Sequence, residues 1–284
     1  MEQKYILEKC ESFEPEHIFE CGQCFRWNKE EDESYTGVFS QNGINVKKED
    51  SKIIFTGICN GDIKQECINY FDLNTDYEDI KTKLSEIDNY LKTSIKYGQG
   101  IRILNQDLWE TLISFIISAN NNIPRIKGII ERLSKNYGNK IIWNNKEYYL
   151  FPTPENLMKL SIEDIRSTGV GFRDKYIISA LEKVKEDKLF LDKIDSLNTE
   201  EALKELCNIK GIGLKVASCI LLFGYYRLDV FPIDTWVIKN ITLNYPEINP
   251  IQKEIEKFAR NKFGKYSGLA IQYMFHYERN KKSE

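Results

Sequence analysis

An α+β fold is predicted: a small, twisted antiparallel β-sheet domain over residues 1–97, then a mostly α-helical body over residues 98–284. Three features of the sequence predict it. Short β-branched and aromatic runs, separated by turn residues, occupy the early part of the chain. From about residue 76 the apolar residues recur instead at three- and four-residue steps, which is helical spacing. Near residues 203–224 two apolar helical segments flank a pair of glycines, a helix–hairpin–helix.

Taken in order, Ser34–Phe39, Gly43–Val46 and Lys52–Thr56 read as strands, and Asn42-Gly43 is a tight-turn dipeptide that joins two of them as a hairpin. Ile116 and Ile117, then Ile126, Ile129, Ile130 and Leu133, mark helices. Asn156–Leu160 and Ile177–Leu181 continue that pattern, with Gly169-Val-Gly171 between them. Leu203, Leu206 and Ile209 close one helix, Gly211-Ile-Gly213 makes the hairpin, and Leu214–Phe223 is a second, strongly apolar helix.

With 284 residues, 42% of them hydrophobic and 29% charged, the chain has an ordinary globular composition and room for two domains. No apolar run reaches the roughly 18 residues of a membrane span, and the N-terminus lacks a basic-then-apolar export pattern. A soluble protein in the cytoplasm is expected, with no membrane partner. The seven cysteines are odd in number, none follows Cys219, and Cys21-Gly-Gln-Cys24 is a lone pair. They read as reduced thiols, too few in any one place for a zinc or iron–sulfur cage. With only His17 and His276 as histidines, metal-dependent chemistry is not expected.

The net charge of −3 conceals an asymmetry. Residues 1–100 carry 12 Lys+Arg against 20 Asp+Glu, and the remainder 28 against 23. Residues 253–282 alone hold eight basic and three acidic side chains, Lys282 among them. One basic face can bind a polyanion on a globally acidic protein, although a solvated helix surface accounts for the charge equally well.

The segment 203–239 carries the most chemistry. Amides that open a helix have no partner within it and can point at a phosphate, so the hairpin is suited to gripping a DNA backbone without reading sequence. Helix packing alone also explains two glycines. Lys215 lies in the first turn of the greasy helix, where position alone favours a plain surface lysine. Cys219 is four residues on and shares its face. A wall of cysteine and aliphatics desolvates an amine and depresses its pKa, and a free amine is what a covalent nucleophile needs. Asp234, in Phe231-Pro-Ile-Asp-Thr-Trp236, has the form of a helix N-cap. A carboxylate there, at a pocket mouth, can also offset developing positive charge.

The order Gly211-Ile-Gly213, Lys215, Pro232-Ile-Asp234 resembles the helix–hairpin–helix DNA glycosylases with their Gly/Pro segment and catalytic aspartate. Having no cysteine after Cys219, the chain departs from their iron–sulfur members, and a lysine at this place implies a bifunctional glycosylase/lyase. Gly22–Trp27, Ser118–Arg125, Gly169–Arg173 and Gly268–Phe275 are similar, in order, to blocks of the 8-oxoguanine DNA glycosylases, a resemblance spanning roughly residues 19–278.

That resemblance implies a set of roles. Double-stranded DNA containing oxidised guanine is the partner, met by a monomer, on the nucleoid if the source is prokaryotic. Extracting a base costs about a few kcal/mol, so the hole must be refilled. Asn120 would occupy it, Phe172 would wedge beside the opposite base, and Arg125 and Arg173 would hydrogen-bond that base, expected to be cytosine. Gly211, Gly213 and Val216 would meet the DNA backbone. Cys219 and Phe275 would sandwich the extruded base, with Gln272 in the same pocket. The Gly22 carbonyl would accept the N–H that oxidation places at N7, where guanine itself presents a lone pair. Lys215 would attack C1′ while Asp234 steadies the oxocarbenium-like charge, and β-elimination from a Schiff base would nick the strand. Catalysis would need no cofactor; a structural monovalent or calcium cation would sit on the carbonyls of Cys207, Ile209 and Ile212.

Two residues depart from the family pattern. Ile271 stands where a glutamine usually reads the pairing edge of the base. Gln272 is one step on, which turns a helical side chain by about 100°. Trp236 stands where some members carry a histidine near the phosphates. A glycosylase of other or relaxed base specificity, or a non-catalytic DNA-binding module, are the alternative readings.

Overall fold

The computed structural model describes residues 1–281, so Lys282 of the basic segment lies outside the described residues. Five antiparallel strands, β1 (Gln3–Leu7), β2 (Trp27–Lys29), β3 (Tyr35–Phe39), β4 (Asn42–Glu49) and β5 (Lys52–Ile58), form one sheet in the order β1-β5-β4-β3-β2. The register sets Tyr35 opposite Val46 and Val46 opposite Phe55, so one face gathers large apolar side chains and buries them almost completely. Helices Pro15–Phe19 and Ile63–Tyr70 cover that face. Phe19 stacks on Trp27 at 4.1 Å and Phe39 on Tyr70 at 3.8 Å. Such pairs add about 0.5–1.5 kcal/mol beyond the area they bury.

The β3–β4 turn is not made by Asn42-Gly43. Asn42 is already in the strand, paired with Phe39, and Ser40 and Gln41 make the reversal, with Ser40 at φ 49°. The Asn42 side chain is committed elsewhere: it donates to Glu66 at 2.9 Å and accepts the Asn60 N–H at 3.1 Å.

The two hydrophobic cores interleave along the chain, with Cys21 and Phe25 in the core of the helical body. Helices Tyr77–Ser85 and Asn89–Tyr97 bury Tyr77, Ile80, Leu84, Leu91 and Ile95 in the core of the helical body, not under the sheet. A short strip joins the two cores, with Ile101 and Ile103 in one and Leu104 in the other. Between them the buried Arg102 guanidinium donates to the carbonyls of Phe71 at 3.0 Å, Ser12 at 3.2 Å and Thr75 at 3.2 Å.

In the body, helices Leu108–Ser118 and Leu214–Phe223 are buried over most of their surface. Around them pack Ile123–Tyr137, Asp174–Glu186, Thr199–Cys207, Thr235–Asn244, Gln252–Phe263 and the C-terminal helix Ser267–Asn280. A second hairpin, β6 (Lys140–Trp143) and β7 (Lys146–Tyr149), interrupts the helices and turns on Asn144 and Asn145, both at positive φ. Among the described residues, no helix is long and apolar enough to cross a membrane.

Candidate active site

Thr199–Cys207 ends at the hairpin and Leu214–Phe223 leaves it, as the glycine pair predicts. The two glycines have different grounds. Gly211 is at φ +85°, and a Cβ there would lie 2.2 Å from the Tyr176 ring, so the fold itself excludes any other residue. Gly213 has φ −98° and nothing within 4 Å of a Cβ. Among the described residues no neighbour requires a glycine there, and the position opens on free space. Ala217 is the first amide of the helix to reach a helical acceptor, the Gly213 carbonyl at 2.9 Å. The amides of Leu214, Lys215 and Val216 precede it at the positive end of the helix dipole. The Val216 side chain is buried in the core. Of the three hairpin carbonyls, that of Ile209 accepts the Ile212 N–H at 3.1 Å; those of Cys207 and Ile212 accept no bond among the described residues. An all-oxygen donor set suits a hard cation.

One turn into the helix lies a cavity of about 90 Å³ lined by Cys21, Gly22, Phe115, Lys215, Cys219, Phe223, Pro232, Asp234, Val237, Ile271, Gln272 and Phe275. It brings together six residues that sequence reasoning placed in chemistry or in the base pocket: Lys215, Asp234, Gly22, Cys219, Gln272 and Phe275. Lys215 and Asp234 are both half-buried. Asp234 caps helix Thr235–Asn244, accepting the Val237 N–H at 2.9 Å through Oδ1; among the described residues Oδ2 has no donor. Burial pushes the Cys219 thiol up; the Lys215 ammonium beside it pulls the other way, and Asp234 adds a smaller upward push. The thiol therefore stays protonated, a compact apolar wall for a planar base.

Phe275 is half-buried and faces Gly22, whose Cβ would sit 3.5 Å from the ring. Trp236 packs edge-on against Phe275 at 4.9 Å. Both Ile271 and Gln272 reach the cavity, and Gln272 donates through Nε2 to the Cys21 carbonyl at 2.6 Å. Sequence reasoning missed Phe115 and Phe223, which stack at 5.3 Å in the wall. Phe223 was detectable as the residue four beyond Cys219 on the same helical face; Phe115 comes from another element and carries no local signal.

A second group sits at the C-terminal end of helix Leu108–Ser118. The three successive asparagines divide the work. Asn122 caps the next helix, accepting the Arg125 N–H at 3.0 Å, and Asn121 donates to the Ile117 carbonyl at 3.1 Å. Asn120 is exposed, in the left-handed region at φ 50°. Phe172 is also exposed, at 56%. Arg125 is exposed, and among the described residues its guanidinium has no hydrogen-bond or ion-pair partner.

Arg173, expected to hydrogen-bond the opposite base, points inward in this structure. It is only 2% exposed and donates to the carbonyls of Ala119 at 2.9 and 2.6 Å, Asn120 at 2.8 Å and Val170 at 3.1 Å. These carbonyls lie at the C-terminal ends of the helical segments Leu108–Ser118 and Arg166–Val170 and in the turn that follows the first. The guanidinium spans them and lies 4.5 Å over the Phe172 ring. In this structure Arg173 holds Asn120 and Phe172 in place.

Comparison with known proteins supplies the setting. The family model described as 8-oxoguanine DNA glycosylase, N-terminal domain, matches residues 5–112, and that of the HhH-GPD superfamily base excision DNA repair protein matches residues 113–264. An N-glycosylase/DNA lyase of Saccharomyces cerevisiae is 30% identical over 90% of this chain and 73% of its own. The structure of MBOgg1 in complex with a low affinity DNA ligand superposes with a TM-score of 0.93 at 45% identity, covering 97% of this chain and 95% of that one. The Clostridium acetobutylicum 8-oxoguanine glycosylase/lyase, in complex with double-stranded DNA containing cytosine opposite 8-oxoG, gives 0.91 at 40% identity, covering 98% and 97%.

Proposed function

The chain belongs to the HhH-GPD superfamily of base excision DNA repair proteins, with the N-terminal domain of the 8-oxoguanine DNA glycosylases, and on that premise we propose that it is a bifunctional glycosylase/lyase that excises 8-oxoguanine from double-stranded DNA. The observation that carries this reading is the meeting of Lys215 and Asp234 in one cavity with Gly22, Cys219 and Phe275. A DNA-binding module needs neither an amine nor a carboxylate facing a cavity.

The chemistry follows from the side chains. The extruded base lies between the Cys219 thiol and the Phe275 ring, and its N7–H meets the Gly22 carbonyl. As the bond from C1′ to N9 breaks, its electron pair leaves with the base, which takes up a proton. Asp234 offsets the positive charge that grows on the sugar. The Lys215 amine bonds to C1′ and gives up its two protons, one to the departing base and one to O4′ as the C1′–O4′ bond breaks, which leaves a Schiff base on the opened sugar. Loss of a proton from C2′ then expels the 3′ oxygen, which nicks the strand. Asn120 and Phe172 project from the surface and fill the vacated stack, while Arg125 offers its free guanidinium to the opposite base, for which cytosine is the preferred partner.

A structural monovalent or calcium cation on the carbonyls of Cys207, Ile209 and Ile212 would hold the hairpin without taking part in bond breaking. The chain acts as a monomer on the DNA of the cytoplasm, the nucleoid in a prokaryote. Ile271 in the cavity wall favours a second reading, a looser grip on the pairing edge of the base. Excision of 8-oxoguanine opposite each of the four bases, and of alkylated purines, separates the two. The nucleophile is tested by borohydride trapping on an 8-oxoguanine duplex: Lys215→Gln is expected to lose at least about 99% of the adduct, in line with removal of a covalent nucleophile. Full trapping by that variant overturns the assignment.

A further inference from the structure

The loop that presents Gly22 is braced on both sides by side chains from distant parts of the chain. Four successive carbonyls run through it. That of Glu20 accepts from Arg279 Nη1 at 3.1 Å, that of Cys21 from Gln272 Nε2 at 2.6 Å, and that of Gln23 from Gln106 Nε2 at 2.8 Å. The carbonyl of Gly22, the one residue of the four that both lines the cavity and has φ +86°, accepts nothing among the described residues. The Gln23 side chain, fully buried, anchors the same loop from below. It donates to the carbonyls of Ile18 at 2.9 Å and Arg102 at 2.8 Å, and accepts the Leu104 N–H at 3.0 Å.

The carbonyls on either side thus each hold a side-chain donor, and of the four loop carbonyls only that of Gly22 is left without one among the described residues. Hydrogen bonds weaken steeply with misalignment, so a carbonyl that must tell an N7–H from an N7 lone pair has to be held still. Gln272 is the brace in direct contact with the cavity. It is 5% exposed, and its amide is committed to Cys21, 251 residues away in the chain.

We propose that Gln272, assisted by Arg279 and Gln106, is a positioning residue that fixes the Gly22 carbonyl for the N7–H of an oxidised purine and does not itself read the base. This assigns lesion discrimination to a braced backbone atom and leaves the pairing edge of the base against Ile271. The inference rests on the proposed excision of 8-oxoguanine.

The test compares single-turnover excision of 8-oxoguanine, 8-oxohypoxanthine and guanine with nicking of a preformed abasic site, which puts no base in the cavity. 8-Oxohypoxanthine keeps the N7–H and lacks the exocyclic amine of the pairing edge. Gln272→Leu is expected to lower excision of both oxidised purines equally, by about tenfold relative to abasic nicking, the scale of a small misplacement at a reacting centre. The preference for 8-oxoguanine over guanine shrinks with it. Arg279→Leu, which removes the brace nearest the surface, gives the same pattern with smaller amplitude. An unchanged ratio of excision to nicking in both variants overturns the proposal. So does a loss confined to 8-oxoguanine, which would mean that Gln272 reads the pairing edge directly. If the unaltered chain nicks abasic sites but excises no 8-oxoguanine, it is the functional reading that falls.

Discussion

Arg125 and Arg173 show how little a residue type says until burial is known. Both look like donors for an orphaned base, yet one is free in solvent and the other is spent on three backbone carbonyls. A lysine keeps the charge of Arg173 but has no planar fork to span Ala119, Asn120 and Val170. Arg173→Lys is therefore expected to destabilise the protein by about 1.5–3 kcal/mol, the worth of a lost buried bond to a charged group. Base extrusion, followed by the fluorescence of 2-aminopurine beside the lesion, should slow as Asn120 loses its support. A variant with wild-type stability and extrusion would mean that the carbonyl bonds are incidental. Lys215, Cys219 and Asp234 were legible in the sequence because the first two share a helical face, the third has the form of an N-cap, and their order resembles that of a known family. The burial of Arg173 was not, because two of its three acceptors, Ala119 and Asn120, lie 54 and 53 residues upstream in a turn whose geometry depends on packing.

The hairpin and its two helices were legible because an apolar decapeptide bounded by glycines has few other conformations open to it. Other elements left weaker traces. β2 is three residues long, β1 alternates between half-buried and exposed positions, and β6 and β7 sit inside a stretch of helical periodicity. Each takes its pairing from a partner and not from its own composition. At this scale the two hairpin glycines make opposite predictions. Gly211→Ala drives a methyl into the Tyr176 ring from a left-handed backbone, and a loss of at least about 2 kcal/mol in urea unfolding is expected. Gly213→Ala meets open space, so stability should move by less than about 0.5 kcal/mol. Its DNA affinity should nevertheless fall severalfold at constant salt, because the added methyl stands where a backbone must approach. Equal effects of the two changes on unfolding would mean that the Tyr176 ring does not exclude a side chain at Gly211, and unaltered DNA binding by Gly213→Ala would show that the hairpin does not face DNA.

Across the whole molecule, the N-terminal segment and the C-terminal helix meet at the base pocket, and the chain's two histidines lie at that junction. His17 and His276 pack edge to face at 5.2 Å, one residue from Phe275 in sequence. Both rings have polar partners: Nδ1 of His17 accepts the Gly100 N–H at 3.3 Å, and Nδ1 of His276 meets the Asn280 amide at 3.2 Å. Burial pushes His276 down to about 4, with the charges of His17 and Arg279 adding to the shift. His17 is lowered too, chiefly by burial, against the opposing pull of Glu14 and Glu16. An unfolded chain takes up these protons near pH 6.5, well before the folded one does. Between about pH 6.5 and 4 the unfolded state therefore binds more protons, and stability must fall as pH falls. Above that window both states are neutral and the contribution is complete. The melting temperature should drop between pH 7 and 5 by roughly 2–4 °C for each kcal/mol lost. His276→Gln, which keeps a polar group beside Asn280 but cannot titrate, should flatten that drop relative to the unaltered chain. The carboxylates are common to both proteins, so the difference between the two curves isolates the histidine. Parallel curves would place the acid sensitivity elsewhere, and leave the junction of the two termini as a plain packing contact.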